Sequence, residues 1–289
     1  MKLTRLLSLF ALMLLFIRCG DPDVDITTAK YEPKISVEAY LFCGETVKNI
    51  RLTRNFELGK QIDVNKLYLT PISNDVTVTL NGVPLLFNDN NKTYYNDQIT
   101  VEYGKSYEID ISATIDGKQL YTTSKTTTPQ KGFSILQHDL GTAEFKNQSL
   151  KIDFKTSPGT DLYIFSFIAD TATLGNFIYE NPLFPNIDSS EVADNFNTYR
   201  YQYSMITDID SYSGQNYSYK LQSFDFWFYS TYKVTAYAGD RNFRYYLLTA
   251  PDVKEFDGNF HEPIQIFDGD GIGVFASAIR ETITFRIVK

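Results

Sequence analysis

Apolar and polar side chains alternate along most of this chain. From Lys34 to Phe42 every second residue is apolar, with Ile35, Val37, Ala39 and Leu41 on one face. That is the period of a half-buried strand. Val47 to Arg54 reads as a second strand, with Val47 or Ile50 and Leu52 inward. Two hairpin patterns follow. In the first, VTVTL (76–80) and VPLLF (83–87) flank Asn81-Gly82, a pair that tolerates the positive φ angles of a type I′ turn. Pro84 lacks an N–H and predicts an edge strand. In the second, 106–115 and 118–126 flank Asp116-Gly117. Tyr107, Ile109, Ile111 and Ala113 there alternate with Glu108, Asp110 and Ser112. Short strands at this spacing predict an immunoglobulin-like or transthyretin-like sandwich over residues 32–128. Thr128-Pro129, with Gly132 beyond, marks a boundary.

Residues 129–289 predict a second, mainly antiparallel β domain with one short helix. Leu150, Ile152 and Phe154 share one face of a strand at 149–156, and 161–170 is a longer apolar run suited to a central strand. Residues 171–198 read as loop. Tyr199, Tyr201 and Tyr203 fall on one face of a strand, and Tyr217, Tyr219 and Leu221 on one face of another. A strand over Thr231–Ala238 leads to Asp240, which caps a helix carrying Phe243, Tyr246 and Leu247 at i, i+3 and i+4 and stopped by Pro251. PIQIF (263–267), a Gly-rich turn and two strands at 272–278 and 281–288 close the chain. The class is all-β.

The first residues break the alternation. Lys2 and Arg5 precede a run from Leu6 to Ile17 that is apolar except for Ser8. A bilayer-spanning helix needs about twenty apolar residues, so the run is short for a span and suited to a secretory signal. Cys19 follows at once, which predicts a lipoprotein signal over 1–18, cleavage before Cys19, and acyl chains on that residue as the bond to membrane lipid. Phe16 and Arg18 stand where such signals usually carry Leu and a small residue, so an ordinary signal or an uncleaved short anchor is the alternative. Residues 19–31, polar and acidic with Pro22, read as a tether.

Charge narrows the partners. The chain of 289 residues has 27 Lys and Arg against 35 Asp and Glu. Loss of Lys2, Arg5 and Arg18 leaves 24 basic residues and a net charge of about −11. Such a chain repels phosphate backbones, which argues against nucleic-acid binding. With Cys19 acylated, Cys43 has no disulfide partner, and within AYLFC it reads as a small buried hydrophobe.

Chemistry is sparse. His138 and His261 are the only histidines, and no zinc or catalytic-triad pattern surrounds them. Asp268-Gly269-Asp270-Gly271 invites a calcium reading, but Ile272 and Ile279 stand where further ligands belong, and a Gly-rich turn explains the same residues. Asp208 and Asp210 pose the same question and get the same answer. No cofactor, metal or catalytic residue is expected, and the chain is not read as an enzyme. The aromatics are the better candidates, at 21 Tyr, 22 Phe and 1 Trp. Alternate tyrosines between 196 and 246 either fill a β core or offer flat faces to a ligand or partner. In FDFWFYS (224–230) aromatics follow one another, so Phe226, Trp227, Phe228 and Tyr229 are either buried on both sides or meet a partner on one.

In order, these features resemble the Bacteroidota lipoproteins classed as domain of unknown function 4249. The resemblance rests on the signal, the entry strand Tyr31 to Glu38, the stretch Gly104 to Thr128, and the end from Asn242 to Thr249 and from Glu262-Pro263 to Phe275. It implies an outer-membrane lipoprotein, facing either the periplasm or the cell exterior, that accompanies a TonB-dependent transporter as a binding or accessory component. An adhesive or glycan-binding surface protein is the alternative, and a hydrolase with an unrecognised carboxylate site ranks last.

Overall fold

The computed structural model of the chain describes residues 30–57, 59–137, 139–146, 149–183, 186–207, 215–249 and 264–289. Two compact units are distinguished. One is Met1–Glu32 with Glu57–Lys60, of which few residues are described; the other is Pro33–Phe56 with Gln61–Lys289. All that follows concerns the second. The expected signal, Cys19 and most of the tether lie outside the described residues, as do His138, Asp208, Asp210 and His261. Among the described residues no helix is long and apolar enough to cross a membrane.

The chain is all-β. Its strands are β1 (Ile35–Phe42), β2 (Thr46–Arg54), β3 (Thr77–Leu80), β4 (Val83–Pro84), β5 (Leu86–Asn88), β6 (Thr93–Thr100), β7 (Ser106–Ile115), β8 (Lys118–Thr127), β9 (Ser134–Ile135), β10 (Asp139–Glu144), β11 (Ser149–Lys155), β12 (Leu162–Ala169), β13 (Tyr201–Ile206), β14 (Asn216–Gln222), β15 (Thr231–Gly239), β16 (Phe267–Gly269) and β17 (Gly271–Val288). Among the described residues they form three sheets. The largest runs β13-β12-β15-β17-β1-β2-β6-β5, with β10 also on β17; the others are β16-β8-β7-β3-β4 and β14-β11-β9.

Alternation places the cores. The five-stranded sheet packs its inward residues, such as Val78, Ile109, Ile111 and Leu120, against Ile35, Val37, Leu41, Ile50 and Leu52 of β1 and β2. This is the expected N-terminal sandwich. The three-stranded sheet packs Leu150, Ile152 and Phe154 against Tyr163, Phe165, Phe167 and Val234 of the large sheet. Both hairpin turns have the expected form, with positive φ at Asn81, Gly82, Asp116 and Gly117. Pro84 lies on an edge strand.

β17 joins the two cores. The expected pair of strands at its place is one strand, because Ile279 and Arg280 between them offer neither Gly nor Pro to break the ladder with β15, which runs from Ala278 to Arg286. Its odd residues face inward throughout: Phe275 enters the N-terminal core, while Ile279, Ile283, Phe285 and Ile287 enter the other. β17 pairs in parallel with β1 and with β10, so the large sheet is mixed. It also crosses the boundary expected at Thr128-Pro129. The Gly-rich turn before it is a change of sheet: β16 pairs with β8, and β17 with β1. At Gly273, φ is +108° and a Cβ would lie 2.2 Å from the Val37 carbonyl oxygen, so only glycine lets the two backbones meet.

Four further elements differ from the sequence pattern. β6 lies in a stretch without clear alternation. Within 171–198, read as loop, stand two short helices, Ser189–Asp194 and Phe196–Arg200; Asp188 caps the first by accepting from Ser190 N. In β2 both inward options hold at once, because an irregularity between Val47 and Ile50 lets both point into the core.

Candidate functional site

The even residues of β17 face away from the cores, and this outer face of the large sheet is the candidate site. At one end it is covered. Helix Arg241–Thr249 lays Phe243, Tyr246 and Leu247 over Leu162, Ile164, Val274, Ala276 and Ala278. Asp240 holds that helix down. Its carboxylate accepts from Phe243 N at 3.0 Å, Ser277 N at 3.2 Å and the Thr126 hydroxyl. Burial pushes its carboxyl up to about 6, against the hydrogen bonds from Thr126, Phe243 and Ser277, which favour the charged form.

Beyond the helix the face is open. Register sets its rows. Tyr203 lies beside Ser166, then Thr235, then Thr282; Tyr201 lies beside Ile168, then Lys233, then Thr284. Arg286 follows on β17, with Thr142 of β10 beside it. Tyr203 is 69% and Tyr201 50% exposed, unusual for rings in a protein that buries most of its aromatics. β13 is an edge strand among the described residues. The Arg200 guanidinium lies 5.5 Å from the Tyr201 ring centre, and its Nε donates to the Ala169 carbonyl at 3.0 Å. The face carries Arg200, Lys233 and Arg286, and the carboxylate residues of β10 are at register positions opposite Thr284 (Asp139) and Val288 (Glu144). A hydroxyl-rich patch with three cationic side chains and two open tyrosines thus sits on a chain of net charge −8. Such a surface suits a broad, partly apolar partner.

The aromatic run 224–230 is placed otherwise. Ser223–Asp225 forms a 3₁₀ turn, and the residues beyond it make no regular strand, only a bridge from Phe228 to Phe177. Phe226, Trp227 and Phe228 are buried, so of the two readings the buried one holds for them. Phe226 packs on Phe167, Tyr232 and Phe285; Trp227 stacks on Phe177 at 5.8 Å and meets Tyr199 at 4.8 Å. Tyr229 is half-buried and donates its hydroxyl to Glu180 at 2.5 Å, which holds that carboxyl below its usual range. Tyr199 does not share a strand face with Tyr201; it lies in the helix before it. Tyr217 and Tyr219 cover Phe154 and Phe165 from the edge of the core beneath the three-stranded sheet. Tyr212 lies outside the described residues.

The remaining candidates have structural partners. Asp270 lies 3.8 Å from Lys34 and 4.0 Å from Lys118, and accepts from Tyr121 N at 3.3 Å, so lysines occupy the place of a cation. Among the described residues no cluster of three or more His, Cys, Asp or Glu could hold a metal. Cys43 is buried, its thiol pushed up to about 11 by burial, as expected of a small hydrophobe.

A family profile described as "Domain of unknown function (DUF4249)" matches residues 21–277. No curated protein matches. Among solved structures, the chain is similar to the "I-band fragment I67-I69 from titin" over 90% of its own length and 66% of that chain, at 6% identity and a TM-score of 0.22. It is also similar to "Chimeric titin Z1Z2 functionalized with a KLER exogenous peptide from decorin" over 90% and 97%, at 12% identity and a TM-score of 0.19. TM-scores this low do not establish a shared fold.

Proposed function

We propose that this chain, which belongs to the DUF4249 family, is a lipid-anchored protein of the Bacteroidota outer membrane or cell surface that acts by binding and catalyses nothing. Its partner in this reading is a TonB-dependent transporter, for which it is an accessory component. One observation carries the reading: the open outer face, on which register lines up Tyr201 and Tyr203 with Lys233, Thr282, Thr284 and Arg286. Exposed tyrosines and arginines are the side chains most enriched where partners bind tightly. The sequence from Lys2 to Cys19 supports the anchor.

The test is a pull-down from gently solubilised outer membranes with a C-terminal tag, read by mass spectrometry. The expected result is one stoichiometric transporter that is lost when Tyr203→Ala and Lys233→Glu are combined. Recovery of no transporter, or full recovery with the double variant, sinks the accessory role. Cys19→Ala checks the anchor separately, and should move the protein from the membrane to the soluble fraction. The alternative, an adhesin or glycan-binding surface protein, draws on the same two open tyrosines. A deletion strain with normal nutrient uptake and lost attachment would favour it.

A further inference from the structure

At the other edge of the large sheet, β2, β6 and β5 enclose a pocket of about 320 Å³ on their outer face, lined by Lys48, Asn49, Asn88, Asn91, Thr93, Tyr95 and Asp97. Two irregularities build it. Val47 faces Asn96 and Ile50 faces Tyr94, so Lys48 and Asn49 together oppose the single residue Tyr95. Thr46 faces Thr100, so Asp97, Gln98 and Ile99 have no counterparts in β2. Asn49 takes φ +58°, left-handed backbone that few residues other than glycine adopt. Bulges of this kind redirect side chains and cluster beside binding sites. The bulge in β2 also lets Val47 and Ile50 both reach the core. That need explains the backbone of Asn49, but not why amides, a carboxylate, an ammonium and a ring converge around it.

We infer that this pocket binds a neutral saccharide, a single sugar ring in its first instance. The pocket is at the small end of the ligand-cleft range of about 300–1,000 Å³. Planar amide and carboxylate groups each present two polar positions, which match neighbouring hydroxyls on a ring. Asn91 Oδ1 accepts from the Thr93 hydroxyl at 2.7 Å, and Asn88 Oδ1 accepts from Asn90 N at 3.0 Å. Each amide is thereby held by its oxygen, which leaves its NH₂ end as the donor available. Among the described residues the Asp97 carboxylate, the Tyr95 hydroxyl, the Lys48 ammonium and the Asn49 amide have no hydrogen-bond partner. Half-buried Tyr95 places an aromatic ring at the pocket, a side chain able to pack on the C–H side of a sugar. Lys48 and Asp97 cancel in charge, which disfavours phosphate or carboxylate ligands. The lining is polar apart from the Tyr95 ring, which disfavours a lipid tail. This inference does not depend on the transporter reading, since the pocket and the Tyr201–Tyr203 patch lie at opposite edges of the sheet.

The test is calorimetric titration of the purified chain with glucose, galactose, mannose, N-acetylglucosamine and their disaccharides, alongside glucuronate and glucose 6-phosphate. Saturable binding of at least one neutral sugar is expected. Tyr95→Ala and Asp97→Ala should each weaken it about tenfold or more, a factor worth ~1.4 kcal/mol. Asn49→Gly, which relieves the backbone and removes only the amide, should weaken it with no loss of thermal stability. Tyr203→Ala should leave it unchanged. Absence of saturable binding to the folded wild type overturns the inference. So does a preference for the anionic sugars, or binding indifferent to all three pocket variants.

Discussion

Asp240 shows how one residue can carry a pH dependence. It is 4% exposed and its carboxyl is raised to about 6 from an unfolded value near 3.8. Between those values the folded chain holds a proton that the unfolded chain has released. The stability this group lends is therefore full below pH 4 and is lost as pH rises through 6, by roughly 3 kcal/mol at about 1.4 kcal/mol per pH unit. Asparagine fits the same place without that loss. Its oxygen can accept from Phe243 N and Ser277 N, and its NH₂ can donate to the Thr126 hydroxyl, which then donates on to Ser277 Oγ. In thermal melts from pH 4 to 8, Asp240→Asn should match the wild type at low pH and exceed it above pH 6. At pH 4 Asp240→Ala should be less stable than both by about 1–3 kcal/mol, because two buried N–H groups, that of Phe243 at the helix cap among them, lose their acceptor, and its gap to the wild type should close as pH rises through 6. An Asn variant that loses stability at pH 8 would show that the charge itself is needed.

At the level of elements, aromatic side chains do opposite work according to the segment that carries them. Phe228 is fully buried against Phe177 and Phe196, and Phe228→Ala should cost about 3–5 kcal/mol in denaturant unfolding. Tyr203 lies open on β13, and Tyr203→Ala should change stability by no more than about 0.5 kcal/mol. If the two variants unfold alike, the assignment of core and surface is wrong. Sequence pattern reveals part of this contrast. Ile35, Val37, Ala39 and Leu41 alternate visibly, and so do the arms of both hairpins, because each has one wet and one dry face. The run Phe224 to Tyr229 left two readings because it is not a strand, so its successive rings need not point to opposite faces of a sheet. Tyr201 and Tyr203 were legible as a same-face pair, but not as exposed. Exposure depends on β13 being an edge and on the helix from Arg241 stopping short of that row. The pocket around Tyr95 was not legible at all: Lys48, Asn88 and Asp97 look like any solvated strand residues until β2, β6 and β5 pair, and the bulge at Asn49 breaks the alternation that would mark its strand.

For the whole molecule, the decisive feature is that β17 serves both cores. Sequence alone puts a boundary at Thr128-Pro129, because local patterns end there. Register then shows what local pattern cannot: β1 pairs along its full length, Ile35 to Phe42, with Gly271 to Ala278. A fragment of residues 32–128 would leave that edge of β1 unpaired. It would also lose Phe267 and Phe275 from its core and β16 from the edge of β8. Long unpaired hydrophobic edges seek other chains, so the fragment should aggregate or show poor dispersion in a proton–nitrogen correlation spectrum. The intact chain should unfold in one transition, since neither core is complete without β17. Two resolved transitions in the intact chain, or a monomeric fragment that melts cooperatively, would make the N-terminal sandwich autonomous. β17 would then be a late addition to that sandwich, and the Tyr95 pocket and the Tyr203 patch could be studied on separate pieces. If the fragment fails as expected, the two surfaces belong to one cooperative body and share its stability. A core variant such as Phe228→Ala should then lower the midpoint at which sugar binding near Tyr95 is lost on heating, although the pocket is built from other strands.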